Sequence, residues 1–300
     1  MAGRMLYIRA LSPIHSGTGQ STGVIDLPVA REKITDWPYL PGSSLKGVLR
    51  DACDPGGDFD EKNPRPFDRA FGPPTNFADK YAGALTFCDA HLLCLPVRSF
   101  YGAFAWITCP LALDRWKEDA AAARAALTVT VPGAPPADHL LLAPSTKLTG
   151  GGDKVYLEDL DLTREDDAER QQAAAAVAAT IASAVFPDAA WQTTFVERFG
   201  IVGDDLFTAL TLTGTEVAAR IVLSDASKTV ENLWYEEAVP AQAIFAAPVL
   251  AESRLLNGAE PWTLFTAPLT DPRQIGGNAS VGRGLAWLRL SPNGADGGTA

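Results

Sequence analysis

The sequence predicts an α+β fold. Strand-like runs stand near both ends, at 5–11 and 285–290, and helical periodicities lie between them. Twenty-six glycines and 22 prolines among 300 residues demand many turns and long irregular connections, which excludes a simple helical bundle. With 47% hydrophobic and 20% charged residues, the chain is too apolar to be disordered as a whole and can bury a sizeable core. The length suits one large domain or two small ones. The terminal strands are expected to share one sheet.

The elements follow in order. Residues 5–11 form a first strand rather than a signal peptide, because two arginines flank one short apolar run and no small-residue cleavage site follows. A Gly/Ser/Thr-rich loop and an extended segment come next. Pro38 and Pro41 bracket a turn, and Ser43 or Ser44 can cap a helix. Leu45, Val48, Leu49 and Ala52 give that helix an apolar face, with Lys46 and Arg50 on another. The stretch 54–79, rich in Pro, Gly, Asn and Asp, reads as an insertion loop. Residues 84–94 and 100–107 read as strands, 114–127 as an alanine-rich helix capped by Asp114, and 128–131 as a short β segment.

Thr163 is expected to open a long helix with Glu165, Asp166 and Asp167 in its first turn, where acids suit the dipole, and Pro187 to stop it. A shorter helix at 191–199 should end at Gly200 in a left-handed conformation. Residues 215–223, 243–250 and 285–290 read as strands. The apolar run 173–186, interrupted by Thr180 and Ser183, is too short to span a bilayer. Cys53, Cys88, Cys94 and Cys109 lack CxxC spacing and lie in apolar contexts, which favours free thiols in a reducing cytoplasm.

Net charge is −11 and the pI about 4.8, so any nucleic-acid site must be a local basic patch or part of a shared assembly. Gly17, Gly19 and Gly23 do not make a dinucleotide loop, because the next segment contains Pro28 and no helical period. GNASVGRG at 277–284 approaches a phosphate loop but carries Arg283 and Gly284 where Lys and Ser/Thr belong. It is either a strand-connecting turn or a loop whose N–H groups, with Arg283, approach a phosphate. Cys88, His91 and Cys94 lack a fourth zinc ligand and read as core and surface residues.

In PGSSLKGVLR, the Ser43 and Ser44 hydroxyls and free N–H groups at a helix start can bind an anion, with Lys46 beside it. An ordinary capped helix with solvated Lys46 and Arg50 fits the spacing as well. Asp26, between Ile25 and Leu27 and close in sequence to His15, Arg31 and Lys33, is either a turn or cap residue or a functional acid. A functional acid there would bind metal or handle protons during phosphodiester cleavage.

The run GVIDLPVAREKITDWPYLPGSSLKGVLRDAC at 23–53 resembles the RAMP superfamily of CRISPR effector proteins, specifically the repeated backbone subunit of type III-B complexes. Residues 85–110, 154–160, 220–240 and 275–288 carry the resemblance onward in the same order. It implies a single domain over 1–300: a modified ferredoxin-like, RRM-related palm with long insertions, mainly helical over 111–214, and a thumb β-hairpin within 219–237. Such subunits stack head to tail along a guide RNA, and the thumb wedges between guide and target.

The resemblance makes Asp26 the residue required for cutting target RNA, with His15 as its companion and a divalent ion, Mg2+, held at Asp26. It makes Lys46 and Arg50 guide-RNA contacts, joined by Ser43, Ser44, Arg98, Gly276, Gly277 and Arg283. Lys228 and Trp234 fall in the thumb. The partners implied are guide RNA, target RNA, copies of the chain itself and other subunits of the complex, with no membrane. The activity implied is RNA-guided endoribonucleolytic cleavage in the assembled complex. A non-catalytic scaffold that binds guide RNA is the alternative.

Overall fold

A computed structural model of the chain describes residues 2–17, 19, 25–224, 229–265 and 267–292. The expected thumb residue Lys228 lies outside the described residues, as do Gly23 and residues 225–227 of the expected thumb.

The first half of the chain forms β1 (Ala2–Ala10), β2 (Tyr39–Leu40), α1 (Gly42–Cys53), α2 (Pro66–Phe71), β3 (Leu85–Phe87), β4 (Ala90–Arg98), β5 (Phe104–Thr108) and α3 (Pro110–Ala122). The middle adds β6 (His139–Leu142), β7 (Lys154–Leu157), β8 (Leu160–Arg164), α4 (Ala168–Val185), α5 (Ala189–Arg198), β9 (Phe199–Ile201) and α6 (Asp204–Thr213). The last part supplies β10 (Glu216–Leu223), β11 (Val230–Ala238), β12 (Ile244–Ala251), α7 (Ser253–Leu256), β13 (Arg273–Gln274) and β14 (Leu285–Leu290).

A large mixed sheet runs in the order β13-β14-β1-β12-β4-β5-β9-β6-β8-β7, with β2 added on β4 and β3 on β12. The terminal strands do share it: β1 pairs antiparallel with both β12 and β14. Alternation along β1 sends Leu6 and Ile8 into a core with α1 and α2, and Met5 and Tyr7 into a second core with α3, α4 and α5. A strand covered on both faces requires that near-continuous apolar run. β10 and β11 form a separate two-stranded hairpin, wider at both ends than the expected thumb.

Several expectations are corrected. The 54–79 stretch is not loop throughout. Phe67, Ala70 and Phe71 are buried on α2, and Arg65 closes its start by donating to Asp68 over 2.7 and 3.0 Å. The strand expected at 84–94 breaks at Cys88–Asp89, and that at 100–107 starts only at Phe104, because Gly102 and Ala103 both turn with positive φ. α3 starts at Pro110, where the missing N–H costs no hydrogen bond, so Asp114 lies inside it rather than capping it. Residues 128–131 form no strand.

Thr163 belongs to β8, and α4 begins after Asp167, whose carboxylate accepts the Arg170 N–H at 3.0 Å. The cluster of acids marked the cap, not the first turn. Gly200 lies in β9 without a positive φ; a Cβ there would stand 2.9 Å from Leu140 Cδ1, so close packing explains it rather than a turn. The 111–214 insertion carries α3 to α6 but also β6 to β9, which extend the sheet. The cysteines are free thiols, as expected.

Candidate nucleic-acid interface

The β10–β11 hairpin pairs Ala219 with Tyr235 and Ile221 with Leu233. One face therefore carries Val217, Ile221, Leu233 and Tyr235, which are between 41% and 53% exposed. The other face is tied down near its root by polar groups. There Glu236 accepts from Trp234 Nε1 at 2.9 Å, Arg220 Nε at 3.1 Å and Asn278 Nδ2 at 3.1 Å. Trp234 is thus anchored at the hairpin root, and Tyr235 is the more exposed aromatic. An apolar face left open on a protruding hairpin marks a contact surface.

The root of this hairpin gathers the two residues expected to be catalytic. Residues 25–29 lie along β11 with Leu27 opposite Glu236 in a parallel bridge. Leu27 N–H donates to the Tyr235 carbonyl at 3.1 Å, and Glu237 N–H to the Leu27 carbonyl at 3.0 Å. Asp26 is half-buried, and its Oδ2 accepts the Tyr235 N–H at 2.8 Å. Its Oδ1 has no hydrogen-bond partner among the described residues.

His15 is buried, with Nδ1 2.6 Å from the Glu237 carbonyl. A carbonyl only accepts, so Nδ1 carries a proton, and in the neutral form of the ring Nε2 is the acceptor. A Cβ at Gly17 would stand 2.6 Å from that Nε2, so glycine leaves room for the ring. The attachment points of Asp26 and His15 on β11 are roughly 7 Å apart along the strand.

Glu237 is buried, and its carboxylate accepts from Val29 N–H at 3.0 Å, Arg31 Nη2 at 2.6 Å and Thr215 Oγ1 at 2.8 Å. Burial acts to raise the carboxyl pKa of both glutamates and is overcome. Hydrogen bonds from Trp234 and Arg220 hold Glu236 below its ordinary value, and those from Arg31, Val29 and Thr215 do the same for Glu237.

The glycine loop packs against the His15 backbone. Gly277 N–H donates to the His15 carbonyl at 2.9 Å, and Gly276, at φ +79°, passes so close that a Cβ would stand 2.2 Å from the same oxygen. Arg283 is mostly buried and pairs with Glu216 at 3.0 Å. The sequence did not single out Glu236, Glu237 or Asn278. The signal available was the acidic pair directly after the apolar Leu233, Trp234 and Tyr235, but no spacing links it to residues some two hundred positions earlier.

The α1 residues form a second location. No side chain caps α1; instead Asp89 Oδ1 accepts the Gly42 N–H at 2.7 Å. The helix start therefore already holds a carboxylate, and Ser43 and Ser44 do not cap it. A cavity of about 610 Å³ opens beside the helix, lined by Ser43, Lys46, Arg50, Tyr81 and Phe87 among others. Arg50 donates to the Phe71 and Gly72 carbonyls at 3.3 and 2.9 Å and lies over the Phe67 ring. Lys46 has no partner among the described residues; burial, then the Arg50 charge, pushes its pKa down. Arg98 lies elsewhere, at the end of β4, in an exposed pair with Glu158 at 3.2 Å.

No group of three or more His, Cys, Asp or Glu that could hold a metal occurs among the described residues. Asp26 thus offers a single carboxylate and no protein cage for the expected divalent ion. His91, of the rejected zinc pattern, is 3.0 Å from Asp119.

Arg50→Ala should destabilise the subunit by about 1–3 kcal/mol in urea denaturation, because two loop carbonyls lose their donor. Lys46→Ala should leave stability unchanged and lower the salt slope of guide-RNA binding by about one phosphate contact. An unchanged slope returns Lys46 to a solvated surface role. Acid should also loosen the hairpin root. Glu236 and Glu237 have folded pKa values below the ordinary 4.5, so their stabilisation is present above that value and lost as pH falls through the folded values. The thermal midpoint should drop below about pH 4.5, and Glu237→Gln should flatten that drop; an equal slope in both proteins contradicts the assignment.

Comparison with known proteins places this architecture. The family model described as RAMP superfamily matches residues 7–287. The CRISPR system Cmr endoribonuclease Cmr4 of Pyrococcus furiosus is 32% identical over 307 residues, covering 100% of this chain and 99% of the relative. The crystal structure of oligomeric Cmr4 from Pyrococcus furiosus superposes with a TM-score of 0.72 at 27% identity, covering 98% of this chain and 100% of that one. A chain of the type III-B Cmr-beta complex bound to cognate target RNA shares the fold, with a TM-score of 0.69 at 18% identity over 97% of each chain. A sheet that joins both ends of the chain, a protruding hairpin and a full-length match lead to one conclusion: the chain belongs to the RAMP superfamily.

Proposed function

We propose that this chain is the guide-RNA-binding backbone subunit of a type III-B CRISPR effector complex and cleaves complementary target RNA at regular intervals. One observation carries the reading: Asp26 is fixed to the root of a hairpin whose apolar face is open. The full-length relative named an endoribonuclease supports it. Its partners are guide RNA, target RNA, further copies of the chain and the other subunits of the complex. Among the described residues no helix is long and apolar enough to cross a membrane. We place the assembly in the cytoplasm, where the cysteines stay reduced.

We read β1, α1, β4, β12 and β14 as a ferredoxin-like palm. The order β14-β1-β12-β4, antiparallel throughout, supports this, with α7 and two short 3-10 turns in place of the second helix. β10–β11 is then the thumb, and its apolar face covers bases unstacked at the displaced nucleotide.

RNA brings its own nucleophile. A displaced nucleotide aligns its 2′-OH in line with the adjacent phosphorus; the 2′-oxygen bonds to phosphorus and the bond to the 5′-oxygen breaks. A 2′,3′-cyclic phosphate and a 5′-OH result, with the 2′-OH proton taken up at the site and one returned to the leaving oxygen. Asp26 Oδ1 and His15 Nε2 are the acceptors on offer for that proton. Alignment supplies much of the rate. We assign the divalent ion no step: among the described residues Asp26 is the carboxylate that would hold it, with RNA phosphate oxygens and water to complete its shell.

Asp26→Asn keeps the side-chain shape and removes the charge. In the assembled complex it should slow cleavage by at least about a hundredfold while guide and target binding persist. Cutting at the normal sites and rate would make the chain a scaffold and place the nuclease elsewhere.

A further inference from the structure

Glu237 does more at the hairpin root than complete a strand. Its carbonyl accepts the His15 Nδ1 proton and its N–H bonds the Leu27 carbonyl, one residue past Asp26. Its carboxylate holds the Val29 N–H on the far side of the same segment, while Arg31 and Thr215 share the other oxygen. Thr215 immediately precedes β10, so one buried residue joins the His15 loop, the Asp26 segment and the start of the hairpin.

We propose that Glu237 is a positioning residue of the cleavage site, fixing Asp26 and His15 relative to each other and to the hairpin. The proposal rests on the cleavage reading above. The carboxylate is suited to the task because it only accepts, and all three of its neighbours donate. Glutamine has the same shape but one accepting oxygen; its amide NH2 must face Val29 N–H or the Arg31 and Thr215 donors. Either way one tie becomes a repulsion, and the Asp26 segment shifts against His15. A displacement of about 1 Å at a reacting centre can cost on the order of a hundredfold in rate.

The test uses full-length subunit in the assembled complex, with single-turnover cleavage at saturating target well below the melting temperature. Glu237→Gln should cut about ten- to a hundredfold more slowly, with target affinity within about twofold. A purely structural role would lower the melting temperature and leave that rate alone. A second readout needs no cleavage. With only three histidines in the chain, the ring nitrogens of His15 can be assigned by 15N NMR of the subunit. The Nδ1–H tautomer should dominate in the wild type and lose population in Glu237→Gln.

Thr215→Val removes the hairpin tie alone and should slow cutting a few-fold, which keeps the test alive should Glu237→Gln not fold. Full-rate cutting by folded Glu237→Gln complex, or by Thr215→Val complex, overturns the proposal, as do unchanged His15 signals. A wild-type complex that does not cut sinks the cleavage reading instead, and the tautomer measurement then decides the positioning alone.

Discussion

Two adjacent carboxylates, Glu236 and Glu237, are buried at the foot of a hairpin, and burying them demands donors. Those donors come from every segment that meets there: Arg220 and Trp234 on the hairpin, Val29 and Arg31 beyond Asp26, Thr215 before β10, and Asn278 from the glycine loop. Satisfying the charges therefore assembles the site. Asp26 and His15 are bonded to Tyr235 and Glu237, two residues apart on the same strand, so their separation is set by β-strand geometry rather than by long flexible side chains.

The same economy explains how an acidic chain can serve RNA. Most of the cations singled out for RNA contact are already engaged: Arg50 by loop carbonyls, Arg98 by Glu158 and Arg283 by Glu216. Lys46 has no such partner among the described residues. A single subunit with net charge −11 offers a weak electrostatic footprint, and in the proposed assembly repeated copies along one guide would multiply each modest contact. In that assembly the open apolar face of the hairpin would add a contact that salt does not screen.

Much of the scaffold was legible in the sequence because it follows local rules. The apolar run of β1, the periodicity of α1 and the pairing of strands from both chain ends need only alternation and burial. Errors came where tertiary contact overrode a local signal. Pro110 started a helix before the acid that looked like a cap, and buried Phe67 and Phe71 ordered a stretch that composition marked as loop. Gly200 was selected by packing rather than by a turn. Within the site, Asp26 and His15 were visible through family resemblance, whereas Glu236 and Glu237 were not. Their meaning lies in contacts across some two hundred residues, and the same acids on an exposed strand would be ordinary surface charge. The glycine loop was visible as a motif, but its N–H bond to and close approach against the His15 backbone were not, because they too join distant segments.

The central claim is that this subunit positions RNA so that the RNA attacks itself. A target carrying one 2′-deoxynucleotide at a mapped cut site tests it most directly in the assembled complex. Cutting should be lost at that site alone, neighbouring sites should be cut at their usual rate, and the remaining products should end in a cyclic phosphate and a 5′-OH. Undiminished cutting at the deoxy position would contradict it, because the nucleophile would then come from elsewhere.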